Sequence, residues 1–437
     1  MGSCRSPTLG VYHCLMPPTR VRWWILALLF VATTINYLDR IAFGILVPEI
    51  RKDMLVDDPT YGRLTLAFEM TYMIGFLIMG KFVQRYGTRI GYTVAVAWWS
   101  VAAVLHSIAK TPLELGFWRG MLGLGEAGNF PAAIRGVAEW FPKRDRAFAT
   151  GIFNAGTNVA AMVGPPVFAY MVAGFGWQGC FLVTGSLGFV WMVIWWFSYR
   201  LPTEHKAVND AERAYIVSDV TSAEAEPVIG WMEALRQKET WGFALGKFLS
   251  DPVWRFYSYW LPIYLYDVRG FDMKKVGWVL PVIYLMADIG SVGGGWLSGY
   301  LMRRGMAVGK ARKVTMLICA ACMPVAVCSV LADSPILAIA LMSLATAAHQ
   351  GFSANLYTVV SDVFPRPAVA SVTGIGGFAG SLGGVLFATW LPGVLIPIVG
   401  YKPIFLTFGL FHLTGVLALH LLMGQFRPVE AARTPRT

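Results

Sequence analysis

The chain has 437 residues, of which 56% are hydrophobic and only 14% are charged, and its mean hydropathy is +0.56. This composition excludes a soluble globular protein of this length and indicates a polytopic membrane protein. The formal net charge of +11 does not indicate a nucleic-acid partner, because the basic residues cluster in the short segments between apolar blocks.

Apolar blocks of the length that a membrane-spanning helix needs, roughly 20 residues, recur along the whole chain. The predicted spans 1 to 12 cover residues 22–47, 61–84, 88–109, 112–136, 146–172, 177–199, 240–266, 276–301, 312–332, 335–360, 368–392 and 402–424. The sequence therefore predicts an all-α polytopic membrane protein with twelve transmembrane helices.

Two six-helix bundles are predicted, at residues 21–200 and 240–425, on either side of an acidic central loop at 201–239. Residues 1–20 are expected to be a disordered tail, with the true start at Met1 or Met16, and residues 426–437 a second tail. Basic residues such as Lys143, Arg144 and Arg303 lie in loops on one side. The positive-inside rule therefore predicts that both termini and the central loop are cytoplasmic.

Span 1 carries Asp39 and Arg40 within the apolar stretch FVATTINYLDRIAFGILVP. Span 4 carries Arg119 and Glu126, which are seven residues apart and therefore share a helix face. A charge in the middle of a bilayer costs about 2.5 to 3.5 kcal/mol on insertion scales, so such residues normally face a cavity or a partner. Structural ion pairs and a functional site both remain open at this point.

The two halves of the chain repeat at an offset of about 220 residues. EWFPKR at 139–144 matches DVFPRP at 362–367, and ATGI at 149–152 matches VTGI at 372–375. A parallel repeat of six helices predicts two halves related by an axis along the membrane normal, with a ligand site between them near the midplane.

Several polar and aromatic side chains in the spans suit a polyhydroxy acid. Candidates for its hydroxyl groups are Asn154, Thr157 and Asn158 in span 5 and Gln350 and Asn355 in span 10, and candidates for its apolar face are Trp254, Tyr257 and Trp390. For each of them, an interhelical hydrogen bond or a place in the core is the alternative. His349 is expected to be a packing residue.

Span 7 carries Lys247, Asp251 and Arg255 at i, i+4 and i+8. This spacing predicts an ionic row along one helix face for Lys247 and Asp251. Arg255 either belongs to the row or contacts substrate. Asp288 in span 8 is either a gating partner or a second acid for proton coupling.

The six cysteines give no disulfide framework, because most of them fall inside apolar spans. Cys319 and Cys322 form a C-x-x-C within span 9, where no histidine or second cysteine pair is nearby. We therefore expect packing residues there, and we predict neither a metal nor a cofactor.

The segment GKFVQRYGTR at 80–89 resembles the loop signature of the major facilitator superfamily, usually G-x-x-x-D-R-x-G-R-R. Gln84 stands where an Asp is usual and Thr88 where a base is usual, which weakens the cytoplasmic charge latch of that signature. The resemblance covers residues 20–425 and implies a transporter that works by rocking of its two halves.

NYLDR in span 1, together with R-x6-E and EAGNFPA in span 4, resembles the anion:cation symporter branch of that superfamily. The resemblance implies that Arg40, Tyr37 and Tyr72 contact an organic anion. It also implies that Asp39 and Glu126 carry protons, and that Arg119 orients or neutralises Glu126 and belongs to the same substrate site.

FLSDPVWRFYSYWLPIYL, YLMADIGSVGGGWLS and AHQGFSANLYTVVSDVFP resemble bacterial hexuronate transporters. The resemblance implies import of glucuronate or galacturonate with protons across the bacterial inner membrane, with the proton gradient as the energy source. Ser381 stands where many relatives have Asn, so the contacts with sugar hydroxyls are expected to differ. We expect a monomer in the lipid bilayer.

Three alternatives are weighed against this function. Within transport, the cargo is another organic anion, such as an aldonate, an aldarate or an aromatic acid. From other classes, the chain is a membrane sensor or an intramembrane enzyme. No H-E-x-x-H or G-x-S-x-G motif is present, so we do not expect an enzyme.

Overall fold

The computed structural model describes residues 17–54, 56–219 and 229–429. The tails predicted at 1–20 and 426–437 lie mostly outside the described residues. The helices, in chain order, are Val21–Asp53, Asp58–His106, Pro112–Glu126, Asn129–Trp140, Lys143–Ser198, Asp210–Ile216, Trp231–Arg236, Lys238–Asp267, Met273–Arg303, Val308–Cys322, Val325–Leu331, Pro335–Val363, Arg366–Gly383, Leu391–Val399 and Tyr401–Met423, with a π-helical segment at Gly384–Trp390. No β-strand occurs in the described ranges.

Two of these helical segments each hold two spans. Asp58–His106 turns at Gly87 (φ 81°, ψ 167°) and Lys143–Ser198 turns at Gly176 (φ 64°, ψ 178°). A positive φ suits glycine because it has no Cβ. Spans 4, 9 and 11 are each built from consecutive shorter helices. The described helices thus confirm the twelve predicted spans, and seven helical stretches among them are by themselves long and apolar enough to cross a membrane.

The two halves pack through spans 2 and 11 and through spans 5 and 8. Glycines make these approaches close, because a Cβ on Gly374 would lie 2.3 Å from the Phe76 carbonyl oxygen and one on Gly295 would lie 2.2 Å from that of Ala147. Small residues at helix interfaces allow this backbone contact. The halves therefore interlock closely where these helices cross.

One end of the bundle carries Lys143, Arg146 and Arg312, and is called the basic end below. There Arg312 donates from Nη2 to the Lys143 carbonyl at 2.6 Å and from Nε to Asp362 at 2.9 Å. Arg146 donates from Nη1 to the Ser361 carbonyl. The Arg312–Asp362 bond lies within the C-terminal half, but the bonds to the Lys143 and Ser361 carbonyls join the two halves, so the bundle is closed at the basic end.

The central segment is anchored to the start of span 1. Glu212, in the short helix Asp210–Ile216, accepts hydrogen bonds from the Thr19 hydroxyl at 2.6 Å and from the backbone nitrogen of Val21 at 3.1 Å, and it pairs with Arg22 at 3.1 Å. The first backbone N–H groups of a helix have no intrahelical partner and favour an acid nearby. Glu212 therefore caps the first transmembrane helix.

Candidate functional site

A cavity of about 320 Å³ lies between the two halves. Spans from both halves contribute to its wall. The predicted substrate contacts in the wall are Tyr37, Arg40, Tyr72, Asn154, Thr157, Asn158, Trp254, Gln350 and Ser381, and they are joined there by Lys247, Asp251 and Arg255. Its volume is within the range of small-molecule sites. The internal repeat and the intramembrane charges therefore converge on one site.

Arg40 is the cation that the N-terminal half presents to this cavity. Its Nε donates to Glu126 Oε2 at 2.8 Å, and its guanidinium carbon lies 4.4 Å from the ring centroid of Tyr37 and 4.2 Å from that of Tyr72. The two rings favour the cation and fix its plane. Its Nη2 nitrogen is buried and has no hydrogen-bond partner among the described residues, while the side chain as a whole keeps 18% of its surface exposed in the cavity wall.

The predicted proton carriers lie behind Arg40 rather than in the cavity wall. Asp39 and Glu126 are fully buried, and the Asn36 amide donates to the Glu126 backbone carbonyl at 3.5 Å. Glu126 forms an ion pair with Arg40. The Thr184 hydroxyl lies beside the carboxyl group of Asp39. Neither Asp39 oxygen has hydrogen-bond geometry to a described residue.

Arg119 does not line the cavity. The cation that pairs with Glu126 is Arg40 and not Arg119. Its guanidinium stacks on Phe43 at 4.7 Å and on Phe68 at 4.6 Å, and it donates to the Arg40 carbonyl at 3.5 Å. Seven residues correspond to about 10 Å along a helix. A shared face therefore did not bring Arg119 and Glu126 together.

Lys247 and Asp251 form the predicted pair within span 7. Their charged atoms are 2.6 Å apart, and the Lys247 ammonium lies 3.9 Å from the ring centroid of Tyr357. The Lys247 side chain is only 2% exposed, against 23% for Asp251. The lysine is thus held in place by its own helix and by span 10.

Arg255 leaves that row and crosses to the other half of the protein. It donates from Nη1 to Glu69 Oε2 in span 2, and its Nη2 lies 3.4 Å from the Ser381 hydroxyl in span 11. The Tyr259 hydroxyl lies 3.4 Å from the second oxygen of Glu69. Glu69 was not among the predicted site residues, although it precedes Tyr72 by three positions and so shares its helix face.

Amide side chains link the halves beside the cavity. Asn154 donates to Gln350 Oε1 at 2.9 Å and lies 3.2 Å from the Ser291 hydroxyl. Asn158 donates to Asp288 at 2.6 Å. Asp288 lines a separate apolar groove and not the central cavity, and its two predicted roles, a gating partner and a second acid for proton coupling, stay predictions.

Three residues predicted to contact substrate lie elsewhere. Asn355 is fully buried and donates to the backbone carbonyls of Gly294 at 3.0 Å and Gly351 at 2.9 Å. Tyr257 packs in the core, and Trp390 is 63% exposed on the outside of the bundle. Their residue types suited a sugar, but the rotation of each helix turns them away from the cavity.

His349 packs against two aromatic rings and also lines the central cavity. Its ring stacks on Trp254 at 5.5 Å with 12° between the planes, and its Nδ1 lies 3.0 Å from His412 Nε2. Cys319 and Cys322 are free thiols. Within the described ranges, no group of three or more His, Cys, Asp or Glu side chains has the arrangement of a metal site.

The chain belongs to the Major Facilitator Superfamily, because the model of that family matches residues 29–388. It is 30% identical over 417 residues to the hexuronate transporter of Escherichia coli (strain K12), with 94% of this chain and 96% of that one covered. It is 29% identical over 429 residues to a probable galactarate/D-glucarate transporter of Bacillus subtilis (strain 168), covering 94% of each.

The fold also matches a solved structure. The proton:xylose symporter XylE superposes with a TM-score of 0.72 at 14% sequence identity, over 93% of this chain and 96% of that one. At this identity the match concerns the fold alone. The family match and the fold together make the protein a multi-pass membrane transporter of two six-helix bundles.

Proposed function

We propose that this protein imports a sugar acid, a hexuronate such as glucuronate or galacturonate, together with protons, by alternating access of the central cavity. The observation that carries the proposal is Arg40, which lines the cavity beside two tyrosine rings, keeps 18% of its side chain exposed and has one nitrogen without a hydrogen-bond partner among the described residues. A guanidinium so placed suits a carboxylate. The resemblance to the hexuronate transporter of E. coli supports the same substrate class.

The sugar part of the substrate would lie against the polar wall of the cavity. Thr157 and Ser381 offer hydroxyl groups, and the bonded pair of Asn154 and Gln350 offers amide atoms from both halves. Trp254 offers an aromatic face. A ligand that bonds Asn154 and Gln350 at once would connect the two halves, as alternating access requires.

Proton coupling follows from competition for Arg40. Glu126 occupies Nε of the guanidinium that we assign to the substrate. A proton on Glu126 removes its negative charge and releases Arg40 to the incoming anion. Asp39 is fully buried, and a carboxyl group without a charged partner avoids a large desolvation cost when it holds a proton. We assign the second proton position to Asp39.

In the proposed orientation, the basic end faces the cytoplasm of a bacterium and the chain lies in its inner membrane. The concentration of Lys143, Arg146 and Arg312 at that end supports this orientation. The structure then corresponds to a state closed toward the cytoplasm. The site lies between the halves of one chain, so a monomer suffices for transport.

Import of a sugar diacid is the second candidate function. The cavity holds two further cations, Lys247 and Arg255, and the B. subtilis relative is a probable galactarate/D-glucarate transporter. Both of these cations are paired with acids, which favours the monoacid.

The function is tested with purified protein in proteoliposomes. We expect galacturonate uptake that is driven by an inward proton gradient and collapses with a protonophore. Glu126→Gln should retain exchange of galacturonate across the membrane and lose its accumulation. Glu114→Gln, in the same helix and exposed at its first turn, is the matched control and should accumulate substrate normally. Uptake that does not depend on the proton gradient would refute proton coupling. Absence of any sugar-acid uptake would refute the substrate class.

A further inference from the structure

An ion pair between the two halves occupies one side of the cavity. Arg255 and Glu69 each retain some exposure, 18% and 17% of their side chains. Both line the same cavity as Arg40. The pair is therefore reached by the solvent and ligands that enter the cavity, unlike the fully buried Glu126.

The position of Arg255 is fixed by the helix it lies against. A Cβ on Gly384 would approach Arg255 Cδ to 2.4 Å and Nε to 2.7 Å, so a larger residue there would displace the Arg255 side chain from its present position. Gly384 begins the π-helical segment Gly384–Trp390, and such segments are frequent at functional sites. Arg255 also donates from Nη2 to the Ser381 hydroxyl. Span 11 therefore holds this cation at the cavity wall through both Gly384 and Ser381.

The three cations of the cavity differ in what remains available to a ligand. Arg40 is 18% exposed, and its Nη2 has no hydrogen-bond partner among the described residues. Lys247 is 2% exposed, is paired with Asp251, and faces the ring of Tyr357. Arg255 is fixed and reachable, but its Nη1 already holds the carboxylate of Glu69. The cavity thus has one cation open to an anion and a second, well-positioned cation whose anion comes from the protein itself.

We propose that Glu69 takes the place that the second carboxylate of a sugar diacid would occupy on Arg255, and that it makes this transporter select monocarboxylic over dicarboxylic sugar acids. The inference rests on the proposed function and names the determinant of its substrate class. Glu69 acts in two ways, because it satisfies Arg255 and repels a second negative charge brought by a ligand. Selectivity commonly uses such a repulsive element.

The test measures equilibrium dissociation constants of the purified full-length protein for three six-carbon acids. Galacturonate reports the proposed monoacid site, galactarate carries a second carboxylate, and galactonate is an open-chain monoacid that matches galactarate except for that group. The variants are Glu69→Gln, the double variant Glu69→Gln/Arg255→Gln, and Asp251→Asn as the matched control. Asp251→Asn removes one acid from the same cavity but frees Lys247 rather than Arg255.

In the unaltered protein, we expect galactarate to bind at least about tenfold more weakly than galacturonate. In Glu69→Gln, the ratio of the galactarate constant to the galacturonate constant should fall by about tenfold or more, since a charge-assisted bidentate pair becomes available. The ratio for galactonate should change by less than about threefold, because it brings no second carboxylate. The double variant should lose the gain for galactarate.

Three results would overturn the inference alone. The first is equal affinity of the unaltered protein for galactarate and galacturonate. The second is a gain in affinity for galactonate in Glu69→Gln as large as the gain for galactarate. The third is the same gain in affinity for galactarate in Asp251→Asn, which would make net charge rather than Arg255 the cause. If no variant binds any of the three acids while all remain monodisperse, the proposed function itself is refuted and the inference falls with it.

Discussion

Replacement of Arg40 by lysine keeps the positive charge and removes the fork of the guanidinium. In the structure, Nε serves Glu126 and Nη2 is unpartnered, so one side chain can hold an internal acid and a ligand at once. A lysine ammonium is a single point charge on a flexible stem. It must therefore serve either Glu126 or the substrate.

The expected loss can be worked out from this geometry. A hydrogen bond to a charged group contributes about 1.5 to 3 kcal/mol, and one such bond to the substrate carboxylate is lost when lysine remains with Glu126. Each 1.4 kcal/mol corresponds to about tenfold in affinity. We therefore expect Arg40→Lys to bind galacturonate about 10- to 100-fold more weakly, while the protein folds normally because the charge that balances Glu126 is kept.

The assay is equilibrium binding of galacturonate to purified protein, with the melting temperature as the check on folding. Arg51→Lys is the matched control, because Arg51 lies in the same helix and pairs with the exposed Asp58 at 2.5 Å. That control should bind within about threefold of the unaltered protein. Binding by Arg40→Lys within the same limit would show that no bidentate contact with the guanidinium is made, and would refute the assignment of Arg40.

Two further predictions concern the closed basic end and a structural amide. Gly374→Val should abolish transport without preventing folding, because a Cβ at this position would lie 2.3 Å from the Phe76 carbonyl oxygen and the closed state could not form. Gly277→Val, whose side chain would meet open space, is the control. Normal transport by Gly374→Val would contradict the geometry. Asn355→Leu should lower the melting temperature, since it loses a bond to the Gly294 carbonyl of the kind that contributes about 0.6 to 1.7 kcal/mol between membrane helices. Its galacturonate affinity should stay within about threefold, and a selective loss of affinity would restore Asn355 to the substrate site.

The apolar blocks and the short polar segments between them were enough to predict the spans. The information is local, because a spanning helix must satisfy its own backbone and needs a fixed apolar length. The internal repeat likewise predicted that the two halves meet around a ligand site. The glycines at positions 87 and 176 end helices by their own backbone conformation, so even the turns between spans have a local cause.

The sequence did not predict which face of each helix meets the cavity. Gln350 and Asn355 are five residues apart in one span, yet the first lines the cavity and the second bonds to the backbone of span 8. Both are polar residues in an apolar helix, and their types do not distinguish them. The rotation of the helix is set by its neighbours, through close approaches such as the one at Gly294.

The sequence by itself determined that this protein is a twelve-helix membrane protein with a repeated half and charged residues in its spans, because those features depend on composition and local spacing. Only the tertiary structure decided which charges are partners. Arg40 meets Glu126 across 86 positions, and Arg255 meets Glu69 across 186. Such pairs depend on how helices from different parts of the chain are placed side by side, and no pattern within a single helix specifies that placement.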